Sequence, residues 1–168
     1  METRSITAEV PMAPRMSEDP AKLVPELAEA SAALFKLTGN GSVSRSTIGL
    51  VQLRAGQIVG STYLTVLHTG FLHKAGESEE RITSVASWQD SPYFTGAERA
   101  ALALVEAVLQ PSADGERVSD DLYAQAAEHY DPKALATLMF AIGQVNFFIS
   151  VALIAKPMPG RSFTDPWK

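Results

Sequence analysis

The sequence predicts an all-α domain with no β-sheet. Three observations carry this prediction. Apolar residues recur at spacings of three and four in one segment after another. Helix-start chemistry stands in front of several of these segments, most clearly Thr95-Gly96-Ala97-Glu98 and Asp131-Pro132. No stretch sustains the period-two alternation of a half-buried strand.

The N-terminal residues 1–19 are polar, carry Pro11 and Pro14 and show no period. They are expected to form a flexible arm ahead of a single domain over 20–160, with a tail over 161–168. A first helix is expected over 25–36, with Pro25 in its first turn and Leu27, Ala30, Leu34 and Phe35 on one stripe. Gly39-Asn40-Gly41 breaks the chain. A second helix over 44–59 carries Ile48, Val51, Ala55, Ile58 and Val59 on one face and Gly49 and Gly56 on another. A glycine inside a helix costs roughly 1 kcal/mol against alanine, so two of them imply close approach of a backbone or room for a bound molecule.

A third helix over 61–74 ends at Gly76 and is expected to pack through Tyr63, Val66, Leu67 and Phe71. A short fourth helix over 78–88 has Ser78 as its cap, with Glu79 and Glu80 in its first turn. Thr95 and Glu98 form a capping box for a fifth helix to residue 109, with Ala97, Ala101, Leu104, Val105 and Val108 inward. Ser119 caps a sixth through 130, and Asp131-Pro132 opens a long seventh that closes before Pro157. From Ala134 to Ala155 this last helix has no charged residue, a length that overlaps membrane spans. A central helix surrounded by its neighbours is the expected reading, because the other helices offer apolar stripes that need a partner.

Composition narrows the function classes. The chain has 168 residues, 46% hydrophobic and 20% charged, enough for one sizeable core with apolar surface left for subunit contacts. Its net charge of −5 and its scattered basic residues argue against nucleic acid as a partner. With no cysteine there is no disulfide, thiolate metal site or thiol nucleophile. Three scattered histidines have no matching carboxylate spacing, and no phosphate loop, dinucleotide fingerprint or nucleophile elbow occurs; no metal or cofactor is expected. The first twenty residues lack the apolar core of a secretory leader, so the cytoplasm is the expected compartment, with no membrane partner.

Several blocks, in order, carry a family resemblance. They are the run from Leu53 to His68 (LRAGQIVGSTYLTVLH), Lys74-Ala75-Gly76-Glu77-Ser78, the run from Trp88 to Glu106, Val118-Ser119-Asp120-Asp121-Leu122-Tyr123, and the stretch through Ala141-Ile142 and Val145-Asn146 to Pro159-Gly160. Together they resemble the alkylhydroperoxidase D-like branch of the carboxymuconolactone decarboxylase superfamily. The resemblance implies a compact multi-helix fold and self-association into dimers, trimers or hexamers. Redox members carry Cys-x-x-Cys-x-x-x-His on the active helix, with an acid twelve positions before the first cysteine. Placed on this chain, those positions are Ser61, Leu64, His68 and, for the acid, Gly49. Only the histidine is kept. A serine hydroxyl cannot cycle through a disulfide and a leucine cannot react, so thiol peroxidase activity is expected to be absent. The superfamily also includes decarboxylases that work without the dithiol.

His68 is therefore the candidate proton carrier, and Gly49, Ser61, Leu64 and Thr65 are candidate pocket positions by the resemblance. On its own helix His68 reads either as a general base facing a ligand or as a buried histidine bonded to a neighbouring helix. Ser61 lies two turns from it, roughly 10 Å of rise, and suits a helix cap better than a nucleophile. Thr65 is closer, but threonine commonly bonds its own helix backbone. Arg54 is expected to pair with a carboxylate, Glu106 to lie on the surface or at an interface, and the amides Gln144 and Asn146 to tie helices or subunits together, with ligand contact as the other reading. Two functions stay open: a non-redox member binding a small organic molecule, with acid/base chemistry of the decarboxylase or isomerase kind, or a non-catalytic homo-oligomeric relative of the peroxidases.

Overall fold

Side-chain oxygens start nearly every helix of this chain. In the computed structural model, which describes residues 5–113, 115–162 and 165–168, Asp19 caps α1 (Pro20–Leu23) and Ser44 caps α3 (Arg45–Ile58). Ser61 caps α4 (Thr62–Lys74), and Ser78 caps α5 (Glu79–Ser84). The Thr95–Glu98 capping box opens α6 (Gly96–Leu109), Ser119 opens α7 (Asp120–His129) and Asp131 opens α8 (Pro132–Ile154). Among the α-helices of the described residues, α2 (Glu26–Thr38) alone begins without a side-chain cap, after Pro25. Each such cap stabilises its helix by about 1 kcal/mol. The architecture is all-α, with no strand among the described residues.

Two segments depart from the expected boundaries. The chain makes a helical turn, α1, ahead of Pro25, because Asp19 accepts from the amide of Ala21 and Pro20 fits the first helical position. The expected 78–88 helix splits into α5 and a 3₁₀ turn, Val85–Ser87. Beyond that turn the carbonyls of Trp88, Gln89 and Ser91 point at the Arg99 guanidinium (2.9, 2.9 and 3.2 Å) instead of continuing a helical ladder.

Helix α3 is central and packs against α4, α6 and α8. Its Leu50, Val51, Leu53 and Ala55 are fully buried, and each large aliphatic contributes about 1.5–3 kcal/mol by leaving water. Helices α3 and α4 run antiparallel at close range. A β-carbon on Gly56 would stand 3.0 Å from Leu64 Cβ and 3.1 Å from the Thr65 amide nitrogen, which explains a glycine inside that helix. The approach also selects the face that α4 buries. Leu64, His68 and Leu72 are buried at successive turns, while Val66 and Phe71 of the expected stripe are exposed. Similarly, α2 lies on the outside against α8, with Leu27 and Leu34 half-buried but Ala30 and Phe35 exposed. Helix α8 is long and apolar enough to cross a membrane by length and composition, and half of its most apolar stretch is buried inside this chain. The segments before α1 and after α8 meet each other: the amides of Arg15 and Met16 bond the Ala155 carbonyl, and Trp167 Nε1 donates to the Met16 carbonyl (3.0 Å).

Candidate functional site

His68 sits in the middle of α4, 7% exposed, on the side facing α8. Its Nδ1 is buried and has no hydrogen-bond partner among the described residues. Burial alone pushes the imidazole down to about 4 from its ordinary 6.5, so the ring is neutral at physiological pH and one nitrogen is an acceptor. The Phe71 ring, one turn along, meets the imidazole edge-on at 5.7 Å. His68 lines a small cavity of about 20 Å³ with Gln52, Leu64, Gln144 and Phe148. A void of roughly 10–15 Å³ already holds one water, so this one has room for a water or one polar atom of a ligand.

Two buried amides stand beside the histidine. Gln144 of α8 accepts from Thr38 Oγ1 of α2 (3.2 Å) and from Gln52 Nε2 of α3 (3.3 Å). Gln52 also reaches the Ala141 carbonyl at 3.5 Å. This network joins α2, α3 and α8, as expected of Gln144; Asn146 is exposed two positions on. Outside it lies a groove of about 470 Å³, lined among others by Thr38, Arg45, Gly49, Gln52, Lys74 and Gln144. Phe35 and Phe71 border both the groove and the histidine cavity and stand between them. They are 49% and 40% exposed.

The sequence-predicted positions divide around this site. Leu64 lines the histidine cavity and Gly49 lines the groove. Ser61 is buried, accepts through its Oγ from the Leu64 amide (3.2 Å) and borders neither space. Thr65 donates to the Ser61 carbonyl (2.9 Å) and likewise borders neither. Arg45, Lys74, Phe35, Phe71 and Gln52 were not singled out as site residues by the sequence. The available signal was the i, i+4, i+7 spacing of Arg45, Gly49 and Gln52 along one helix face. Among the described residues no group of three or more His, Asp or Glu side chains is arranged to hold a metal ion.

Gly49, the acid position by the family resemblance, has little room for a side chain. A β-carbon on Gly49 would lie 2.8 Å from Leu72 Cδ2, and Leu72 is itself fully buried. Gly49→Ala gains up to about 1 kcal/mol of helix propensity but overpacks the α3–α4 contact by about 1–3 kcal/mol. A net loss near 1 kcal/mol is expected in urea unfolding. Leu72→Ala in the same chain should make the Gly49→Ala step neutral or favourable; the same loss in both backgrounds would remove Leu72 as the cause.

The comparisons with known proteins follow this geometry. The family model for the carboxymuconolactone decarboxylase family matches residues 25–107, which contain α2 to α5, most of α6 and His68. The uncharacterized protein YdfG of Bacillus subtilis (strain 168) is 33% identical over 135 residues, covering 79% of this chain and 90% of that protein. The uncharacterized protein YnjA of Escherichia coli (strain K12) is 38% identical over 69 residues, 41% of this chain and 36% of its own. Among solved structures, ATU0492 from Agrobacterium tumefaciens superposes with a TM-score of 0.77 at 27% identity over 86% of this chain and 98% of its own. It is a protein of unknown function and a candidate AhpD antioxidant defence protein. A variant of the debrominase Bmp8 in complex with 2,3,4-tribromopyrrole shares the fold with a TM-score of 0.70 at 18% identity, over 80% of this chain and 71% of its own. On the family model, the YdfG match and the shared fold, this cysteine-less chain belongs to the carboxymuconolactone decarboxylase family.

Proposed function

We propose that the protein is a non-redox member of its family that binds a small organic molecule beside His68 and performs acid/base chemistry on it, of the decarboxylase or isomerase kind. The observation that supports this reading is His68: its Nδ1 is buried with no hydrogen-bond partner among the described residues, and its side chain lines a small cavity. Leaving such an atom unsatisfied costs about 1–3 kcal/mol, and a histidine kept only for packing would have a cheaper apolar replacement. In the proposed role the imidazole takes a proton from the ligand and returns it, while Gln52 and Gln144 orient polar ligand atoms. Sulfur takes no part, since the chain has none in cysteine form. The protein acts as a homo-oligomer in this reading, supported by Met139, Phe140, Phe147 and Ile154 of α8, which are exposed in the single chain.

Native mass spectrometry of the protein from its own host tests this. A subunit multiple carrying a stoichiometric small mass, at least about tenfold depleted in His68→Ala, is the expected result. A clean multiple in both proteins would favour the non-catalytic relative. The same spectrum reads the subunit number.

A further inference from the structure

We propose that the groove between the start of α3 and the end of α4 binds the carboxylate of a small organic acid, with Arg45 and Lys74 holding the charged head. This names the ligand class of the His68 site and rests on reading that site as a ligand pocket. Among the side chains lining the groove, Arg45 and Lys74 are both cationic and none is a carboxylate. The groove therefore carries +2 in a chain whose net charge is −5. Neither cation belongs to an ion pair among the described residues, whereas Arg54 and Arg81 are both paired. Two unpaired cations at one opening, against the sign of the whole molecule, focus an attractive field on an anion.

The antiparallel packing creates this pairing. Arg45 opens α3 and Lys74 closes α4, so residues 29 apart in sequence flank one opening. Gly49 lies one turn after Arg45 on the same face of α3. A side chain at position 49 would be directed at Leu72, so glycine there leaves the two cations without a carboxylate from this face of α3. The remaining lining suits the rest of an organic acid. Phe35, Ile48 and Phe71 are apolar walls, and Thr38, Gln52 and Gln144 are neutral hydrogen-bonding groups. The volume, about 470 Å³, falls within the roughly 300–1,000 Å³ of small-molecule sites. Phe71 also lines the small cavity that His68 borders, and a polar group on the ligand body, or a water carried with it, is the proposed partner of the His68 Nδ1.

Benzoate and its neutral isostere benzamide are suitable probes, titrated into the full chain and followed by amide chemical shifts. Benzoate should move the backbone amides of Gly49 and Gln52 and the side-chain amides of Gln52 and Gln144. It should bind at least about tenfold tighter than benzamide, and its affinity should fall between about 20 and about 300 mM salt. Arg45→Gln and Lys74→Gln, both at exposed positions, should each weaken benzoate by about three- to tenfold and leave benzamide unchanged. Circular dichroism checks that both variants fold. Equal binding of acid and amide in the groove overturns the carboxylate assignment and leaves the pocket standing. Shifts confined to other parts of the molecule, or none at about 20 mM benzoate, also overturn the proposal. The His68 reading answers to a different result, the native mass of the wild type and His68→Ala, and survives either failure if that mass is present and His68-dependent.

Discussion

His68→Leu is expected to stabilise the chain by about 1–2 kcal/mol at pH 7 and by about 2 kcal/mol more at pH 5. The first part comes from removing a buried nitrogen with no partner from surroundings that include Leu64, Leu67, Val145 and Phe148. The second part comes from linkage. The folded pKa, about 4, lies below the ordinary 6.5, so the unfolded chain binds the extra proton between those values. Stability from keeping His68 neutral is therefore fully present above pH 6.5 and is lost as pH falls towards 4, roughly 3 kcal/mol over the whole window. Glu98, whose carboxyl is held below its usual value by Arg81 and the Thr95 amide despite its burial, begins to lose stability only below about 4.5. The difference between wild type and His68→Leu across pH 5–7 isolates the histidine. Urea midpoints at several pH values measure it. A wild type more stable than the variant at pH 7 would mean that Nδ1 has a structural partner, and the proton-carrier role would fall with it. A more stable but inactive variant would be the signature of a group kept for function at the expense of stability.

How far this was legible differs by level. Caps were legible because Ser61, Ser78, Thr95, Ser119 and Asp131 act on amides three residues away, and such chemistry is local. The buried face of α4 was not. That helix is apolar on more than one side, so periodicity offers both Leu64-His68-Leu72 and Tyr63-Leu67-Phe71 as stripes, and of the second only Tyr63 is buried. Only the approach of α3 at Gly49 and Gly56 decides between them, and those contacts are 8 to 23 residues distant in sequence. The two glycines were read as marks of a close backbone approach or of room for a bound molecule; Gly56 meets the backbone at the Thr65 amide nitrogen, whereas Gly49 meets the Leu72 side chain. His68 was singled out through the family resemblance, but its unpartnered Nδ1 depends on what the neighbouring helices fail to offer it. Arg45 and Lys74 looked like isolated surface charges because their meeting is a property of helix pairing.

The other large effect lies on the opposite face of α3. Glu106 was expected at the surface or an interface, yet it is the shared acceptor of a half-buried network. Arg54 donates to its Oε1 from Nε (2.8 Å) and pairs with it through Nη2 (2.7 Å), while Trp88 Nε1 donates at 2.8 Å and Gln89 Nε2 at 3.1 Å to the other oxygen. Its partners lie 17 to 52 residues away, which is why local sequence read it as solvated. Glu106→Leu should cost about 2–3 kcal/mol, somewhat below a fully buried pair because each side chain is 15% exposed. The cost arises from stranding the Arg54 guanidinium and the Trp88 indole N–H, not from losing a net attraction. Arg54→Met should cost less, since Glu106 keeps Trp88 and Gln89 as donors. The double variant Arg54→Met/Glu106→Leu should be more stable than Glu106→Leu alone, because no charge is left without its counterion. Urea midpoints at constant m-value test all three; a Glu106→Leu loss under about 0.5 kcal/mol would show the network to be screened by solvent. Since Arg54 and Gln52 project from opposite sides of one helix, Glu106→Leu should also loosen the groove. Its weaker hold on α3 would then appear as weaker benzoate binding without any change at Arg45 or Lys74.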